Sequence, residues 1–203
     1  MADFNFKESF FPYIGEEIKA FLKRIGFEFH YSPETEGKVN TVLVASKTSM
    51  TSTLFPQLGI HVHRIIKVTT EEYALYACYF PQQDEKKHLF EFLLSEFASQ
   101  PDQPLIITGD INTGKHTIDE EGSTFYHADY LNKFEVAGMI DAFRDRNPLS
   151  REYSWYTNRG NGFRIDHFFI SAHYKDKIYM CYYEQQARTR GISDHAMMVL
   201  RLR

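Results

Sequence analysis

Gly109-Asp110-Ile111-Asn112 places a carboxylate and a carboxamide two residues apart. On an extended backbone, side chains two apart leave on the same side. The carboxylate only accepts hydrogen bonds, whereas the carboxamide also donates them. The pair therefore suits a water or metal-bound oxygen on the aspartate and a phosphate oxygen on the asparagine. The same residues also make ordinary turns, so the pair gains weight only beside further groups. Two later stretches supply them: Arg164-Ile165-Asp166-His167, and Ser193-Asp194-His195. His195 brings an imidazole, which changes charge near neutral pH. It suits proton transfer or the holding of phosphate as a cation. Asp166 and Asp194 add two carboxylates.

The elements that must position these groups are strands. Leu105–Ile107, between Pro104 and Gly109, reads as a buried strand that delivers Asp110 and Asn112 at its end. Arg164–Ser171 reads as a strand carrying Asp166, with His167 facing the other way as a structural residue. Met197–Leu202 reads as a closing strand directly after His195. Ile65–Val68 and Tyr73–Phe80 form an expected hairpin, ended by Pro81, which cannot donate to a ladder. Asn40–Lys47 reads as a further buried strand, and Phe4–Phe6 as a short strand ahead of Glu8. Amphipathic helices are expected over Gly15–Ile25 and Glu85–Ala98, the second capped by Asp84. A short helix is expected over His127–Ala137, ended by Gly138. Thr113–Ser123 reads as a polar loop.

The chain has 203 residues, 43% hydrophobic and 16% aromatic, enough for one domain over residues 1–203 with a sizeable core. The aromatic content suits pleated surfaces. A net charge of −4 excludes a globally basic nucleic-acid binder, so such a partner needs a local basic face. Candidates for that face are Lys115, Arg159, Arg188 and Arg190. No apolar run approaches a membrane span. Cys78 and Cys181 sit in apolar strand contexts, as reduced core residues of a cytoplasmic protein do. His61-x-His63, read on a strand, offers a two-imidazole metal pair as a remote alternative.

Gly-Asp-x-Asn, Arg-Ile-Asp-His and Ser-Asp-His, in this order and each beside a strand-like run, resemble the motifs of the endonuclease/exonuclease/phosphatase superfamily. The resemblance runs from about Asn40 to the end of the sequence. It implies an α+β fold: a four-layer α/β/β/α sandwich, two mixed sheets face to face with helices outside. It implies a phosphoric ester hydrolase acting on nucleic acid or a phosphorylated small molecule, with nuclease the leading class. It implies an Asp166–His195 pair, with Asp110 aligning the water and Asn112 steadying the transition state. Either His195 or Asp110 would take the proton. Tyr79, in Tyr79-Phe80-Pro81-Gln82, is similar to a family tyrosine that contacts the phosphate; Gln82 stands where asparagine is usual. The resemblance also implies a divalent metal, Mg2+ or Mn2+, on Glu8 and near Asp194. The family's first strand, ending in an Asn-x-Asn-like motif, has no counterpart here, since seven residues precede Glu8. A non-catalytic relative that binds a phosphate-bearing partner is the alternative.

Overall fold

A computed structural model describes residues 14–35 and 39–203 of the chain. Glu8 and the expected strand Phe4–Phe6 lie outside the described residues. The elements run α1 (Ile14–Arg24), β1 (Phe29–Tyr31), β2 (Val44–Ser46), β3 (Thr51–Thr53), β4 (Ile65–Thr69), β5 (Ala74–Tyr79), α2 (Lys87–Ser99) and β6 (Leu105–Asp110). They continue with α3 (Asp129–Val136), β7 (Met139–Asp141), α4 (Ala142–Arg146), β8 (Trp155–Tyr156) and β9 (Gly162–Phe163). The chain closes with β10 (Asp166–Ser171), β11 (Ile178–Glu184), α5 (Gln186–Thr189) and β12 (Met197–Leu202).

Six strands form the central sheet, in the order β3-β4-β5-β6-β10-β7. It is mixed: β5 and β6 run parallel, joined by the crossover through α2, and the other pairs are antiparallel. Its two faces follow from alternation. Leu105 and Ile107 of β6, with Tyr76 and Cys78 of β5, meet Leu89, Phe90 and Leu93 of α2 and Leu131 and Phe134 of α3. Ile106 points the other way, into the β11–β12 pair around Cys181 and Tyr183. Ile66, Val68 and Ala77 meet Phe29, Tyr31 and Val44 beside the β1–β2 pair. Burying each such side chain stabilises by about 1.5–3 kcal/mol. A one-residue slip of β6 would exchange its two faces, so both cores fix the register that carries Asp110.

The fold class is the expected α+β sandwich, with helices outside stacked strand layers. The second layer consists, among the described residues, of the antiparallel pairs β1–β2 and β11–β12. The expected Asn40–Lys47 strand is reduced to β2. His61 and His63 lie in the 3-10 segment Pro56–Arg64, not on a strand. Pro56 at its start and Gly59 at φ 55° favour tight turns over extended chain there. Asp84 does not cap α2; a 3-10 turn over Gln83–Lys86 intervenes, and Asp84 pairs with His127 Nε2 at 2.7 Å. Among the described residues no helix is long and apolar enough to cross a membrane.

Candidate active site

Three strands end in one row. Tyr79 of β5 is the register partner of Asp110 of β6, and Asp110 is the register partner of Asp166 of β10. Directly opposed residues on neighbouring strands share a face, so the two carboxylates meet at the ends of two interior strands of the sheet. β5 and β6 approach so closely here that a Cβ on Gly109 would lie 1.9 Å from the Cys78 carbonyl oxygen. Gly109 also takes φ 130°, a conformation that glycine adopts at no steric cost. The glycine of the motif is thus what lets Asp110 emerge beside Tyr79.

Past Asp110 the chain turns. Asn112, at φ 50°, donates its backbone N–H to Asp110 Oδ1 at 2.9 Å. Its carboxamide nitrogen donates to Phe80 O at 2.8 Å and to Asp110 Oδ2 at 3.2 Å. Both N–H groups of the side chain are therefore engaged inside the protein. Asn112 orients Asp110; as placed, it does not point a free donor at a phosphate.

His195 Nδ1 lies 2.8 Å from Asp166 Oδ2. A carboxylate can only accept, so Nδ1 carries the proton and Nε2 is the nitrogen left for a ligand. Burial lowers the imidazole's affinity for a second proton. The Asp166 hydrogen bond and the charges of Asp166, Asp110 and Asp194 outweigh it and lift the group to about 9. Asp110 moves the opposite way from a free carboxylate. Burial, then the Asp166 charge, push it up to about 7 against His195, the Asn112 N–H and Lys86. The site thus holds an imidazolium and a carboxyl poised near neutrality.

Several supports hold this pair. The buried Ser154 hydroxyl accepts from the N–H groups of Ile165 and Asp166 at 3.1 and 3.2 Å. Its carbonyl accepts from Ala196 N at 2.7 Å, which ties the His195 stretch to the Asp166 strand. Tyr183 donates its hydroxyl to Asp166 O at 2.6 Å. Lys86, 1% exposed, donates to the Asn112 carbonyl. Ser154 stands beside the sequence's lone tryptophan and so had a weak signal; Lys86, in the pair Lys86-Lys87, had none, because charge alone does not predict burial. His167 is buried and its Nε2 lies 2.8 Å from Thr113 O, in keeping with a structural role.

Asp194 presents a carboxylate that is 81% exposed and lies 4.0 Å from His195 Nε2. The Trp155 indole N–H donates to it at 3.3 Å. The exposed Asp194 carboxylate is an oxygen donor of the kind a hard divalent cation takes. Among the described residues no three His, Cys, Asp or Glu side chains are grouped to hold a metal ion. Asp194 is the described candidate ligand, and Glu8 lies outside. His61 packs against His88, with ring centroids 4.6 Å apart, away from any such group.

Tyr79 sits at the rim with the Arg64 guanidinium 5.4 Å above its ring. Among the described residues its hydroxyl has no hydrogen-bond partner, so it remains available to a ligand. Of the basic candidates, Lys115 is held by Glu135 at 2.6 Å and Arg188 lies 4.1 Å over the Tyr156 ring. Arg159 lines a hollow of about 480 Å³ with Trp155, Thr157, Asn158 and Asn161. That hollow adjoins the site, since Trp155 bridges to the His195 backbone.

Asp110, Asp166 and His195 are thus gathered at the ends of two interior strands of the central sheet. The sequence profile of the Endonuclease/Exonuclease/phosphatase family matches residues 4–195, and the chain belongs to that family. A solved AP endonuclease from Archaeoglobus fulgidus is similar at 21% identity and TM-score 0.77, over 90% of this chain and 82% of that one. The 3' phosphatase NExo from Neisseria, bound to a product DNA hairpin, is similar at 18% identity and TM-score 0.75, over 91% and 82%. The 3'-5' exonuclease NExo from Neisseria meningitidis is similar at 19% identity and TM-score 0.75, over 90% and 82%. No curated protein sequence matches.

Proposed function

We propose that this chain is a metal-dependent hydrolase of phosphate esters whose substrate is a phosphodiester of nucleic acid. The observation that carries the reading is the 2.8 Å Asp166–His195 pair placed beside Asp110, with the imidazole raised and the carboxyl poised near neutrality. Asp110 takes the proton of the attacking water, because its carboxyl is close to the working pH, where a general base is most effective. His195, tied at Nδ1, turns an Nε2–H towards the phosphoryl oxygens and offsets their charge in the transition state. Asp166 fixes the ring orientation. Asp194, with Glu8, would hold a divalent cation, which supplies further positive charge against the phosphoryl oxygens when bound. Tyr79 would add a hydroxyl donor at the rim. The hollow of Trp155 and Arg159 supports the nucleic-acid class, since an aromatic face and a guanidinium suit a base and a flanking phosphate.

The test is nicking of supercoiled plasmid and turnover of p-nitrophenyl phosphate, each with Mg2+, with Mn2+ and with EDTA. Cation-dependent nicking with little monoester turnover is expected. Turnover of the monoester alone would overturn the substrate class, and inactivity on both would favour a binding role.

The pH profile separates the two assignments of the base. Below about 7 Asp110 takes up a proton and can no longer accept one, so the rate falls. Above about 9 His195 loses its charge and the rate falls again. A bell between these limits is expected for kcat/KM. A rate that keeps climbing through the upper limit would make neutral His195 the base.

A further inference from the structure

Burying an ammonium costs far more than burying a neutral donor. Lys86 nevertheless spends its buried charge on one bond, to the main-chain carbonyl of Asn112. The next carbonyl, Thr113 O, is held by His167 of β10 at 2.8 Å. Consecutive carbonyls after Asp110 are thus pinned from two different elements, α2's leading turn and β10. The pinned residue, Asn112, has the left-handed φ of 50° that an unrestrained asparagine adopts only as a minority state. A neutral side chain would hold the carbonyl as well, so the charge needs its own reason. Burial pulls the ammonium down to about 8, and the one group that opposes this is Asp110. The dependence is mutual, because Lys86 is among the groups that favour the Asp110 carboxylate. The others facing Asp110 are Asp166 on β10, His195 ahead of β12 and the Asn112 N–H of its own turn.

We infer that Lys86 is a positioning residue: it fixes the Asp110–Asn112 turn through the Asn112 carbonyl and supplies the buried positive charge that faces the Asp110 carboxylate. Its effect on turnover rests on the hydrolase reading above; its effect on Asp110 does not.

The experiment follows the Asp110 carboxyl carbon by NMR through a pH titration, without substrate. Lys86→Gln keeps a donor for the Asn112 carbonyl and removes the charge. Its Asp110 midpoint is expected to rise above that of the wild type, while Lys86→Arg leaves it near the wild-type value. An unmoved midpoint in folded Lys86→Gln would overturn the inference. A reciprocal measurement needs no Lys86 variant: in Asp110→Asn, the Lys86 Cε signal is expected to titrate at lower pH than in the wild type. An unchanged Lys86 midpoint would overturn it equally. In turnover, Lys86→Gln is expected to lower kcat about tenfold with KM unchanged and to carry the acid limb of the rate profile upward, with Arg restoring both. A wild-type chain that hydrolyses nothing would sink the hydrolase reading and leave the two titrations to decide the role of Lys86.

Discussion

His195→Ala is expected to lower kcat by about 10³-fold, the range for loss of a positioned proton-transfer or charge-stabilising group. The fold should survive. The imidazole sits beside the end of β10 and is not part of either main core. Its loss has a second consequence. His195 is one of the groups that hold the Asp110 carboxyl down. Without it, Asp110 and Asp166 face each other with less compensation, and like charges resist joint ionisation. The residual activity should therefore show an acid limb displaced to higher pH. Asp110→Ala should lose comparable activity with no such limb left to displace. Steady-state kinetics across pH, beside thermal melts by circular dichroism, check both. Rates within tenfold of wild type in either variant would remove these residues from the chemistry.

Arg164→Met is expected to cost about 3–5 kcal/mol of stability, the range for breaking a buried ion pair from one side. The guanidinium is fully buried and donates to Asp119 at 2.7 and 2.9 Å and to Asp141 at 2.6 and 3.2 Å. Asp119 also accepts from Arg144 and from the Lys115 N–H, and Asp141 caps α4 through the Arg144 N–H. One arginine therefore binds the loop after Asn112 to β7 and to the start of β10. The pH dependence should change as well. Burial raises the Asp119 carboxyl, but Arg164, with smaller contributions from His167 and Arg144, outweighs this, and it ends below its ordinary 3.8. A depressed carboxylate stabilises the fold above its unfolded value, and that contribution is lost as pH falls through the folded value. With methionine in place, the largest of the groups opposing burial is lost and both carboxyls rise, so mild acid should destabilise the variant less than the wild type. Urea unfolding near pH 5 and near pH 7 measures both slopes.

The legible parts of this protein were those in which one residue type answers to one local demand. Gly109, Asp110 and Asn112 are adjacent, so their strand-end turn is a local matter. Asp166 and His195 announce themselves by type and by the apolar runs beside them. The helices α1 and α2 follow from periodic apolar residues. Most of what stayed hidden depends on partners distant in sequence. Thr113–Ser123 reads as a solvated polar loop, yet Asp119 and Glu120 within it are wholly buried. Asp119 is matched by Arg164, 45 residues on; Glu120 is matched locally, by the N–H groups of Thr124 and Phe125 at 2.8 and 3.3 Å, in a tight turn that its polar sequence does not announce. Neither match is visible until the chain folds. Lys86 was hidden for the same reason, and so was the engagement of both Asn112 side-chain donors.

The two cysteines lie in different cores: Cys78 between the central sheet and α2, Cys181 between that sheet and the β11–β12 pair. Burial raises both thiols well above their ordinary value, so neither reacts while its core stays closed. Each is then a clock for one layer. Modification of Cys78 by a thiol reagent times the opening of the helix-covered side, and modification of Cys181 times the opening of the strand-covered side. A ligand that engages Asp110 on β6 and His195 ahead of β12 would slow both clocks together, whereas one that engages a single layer would slow only one.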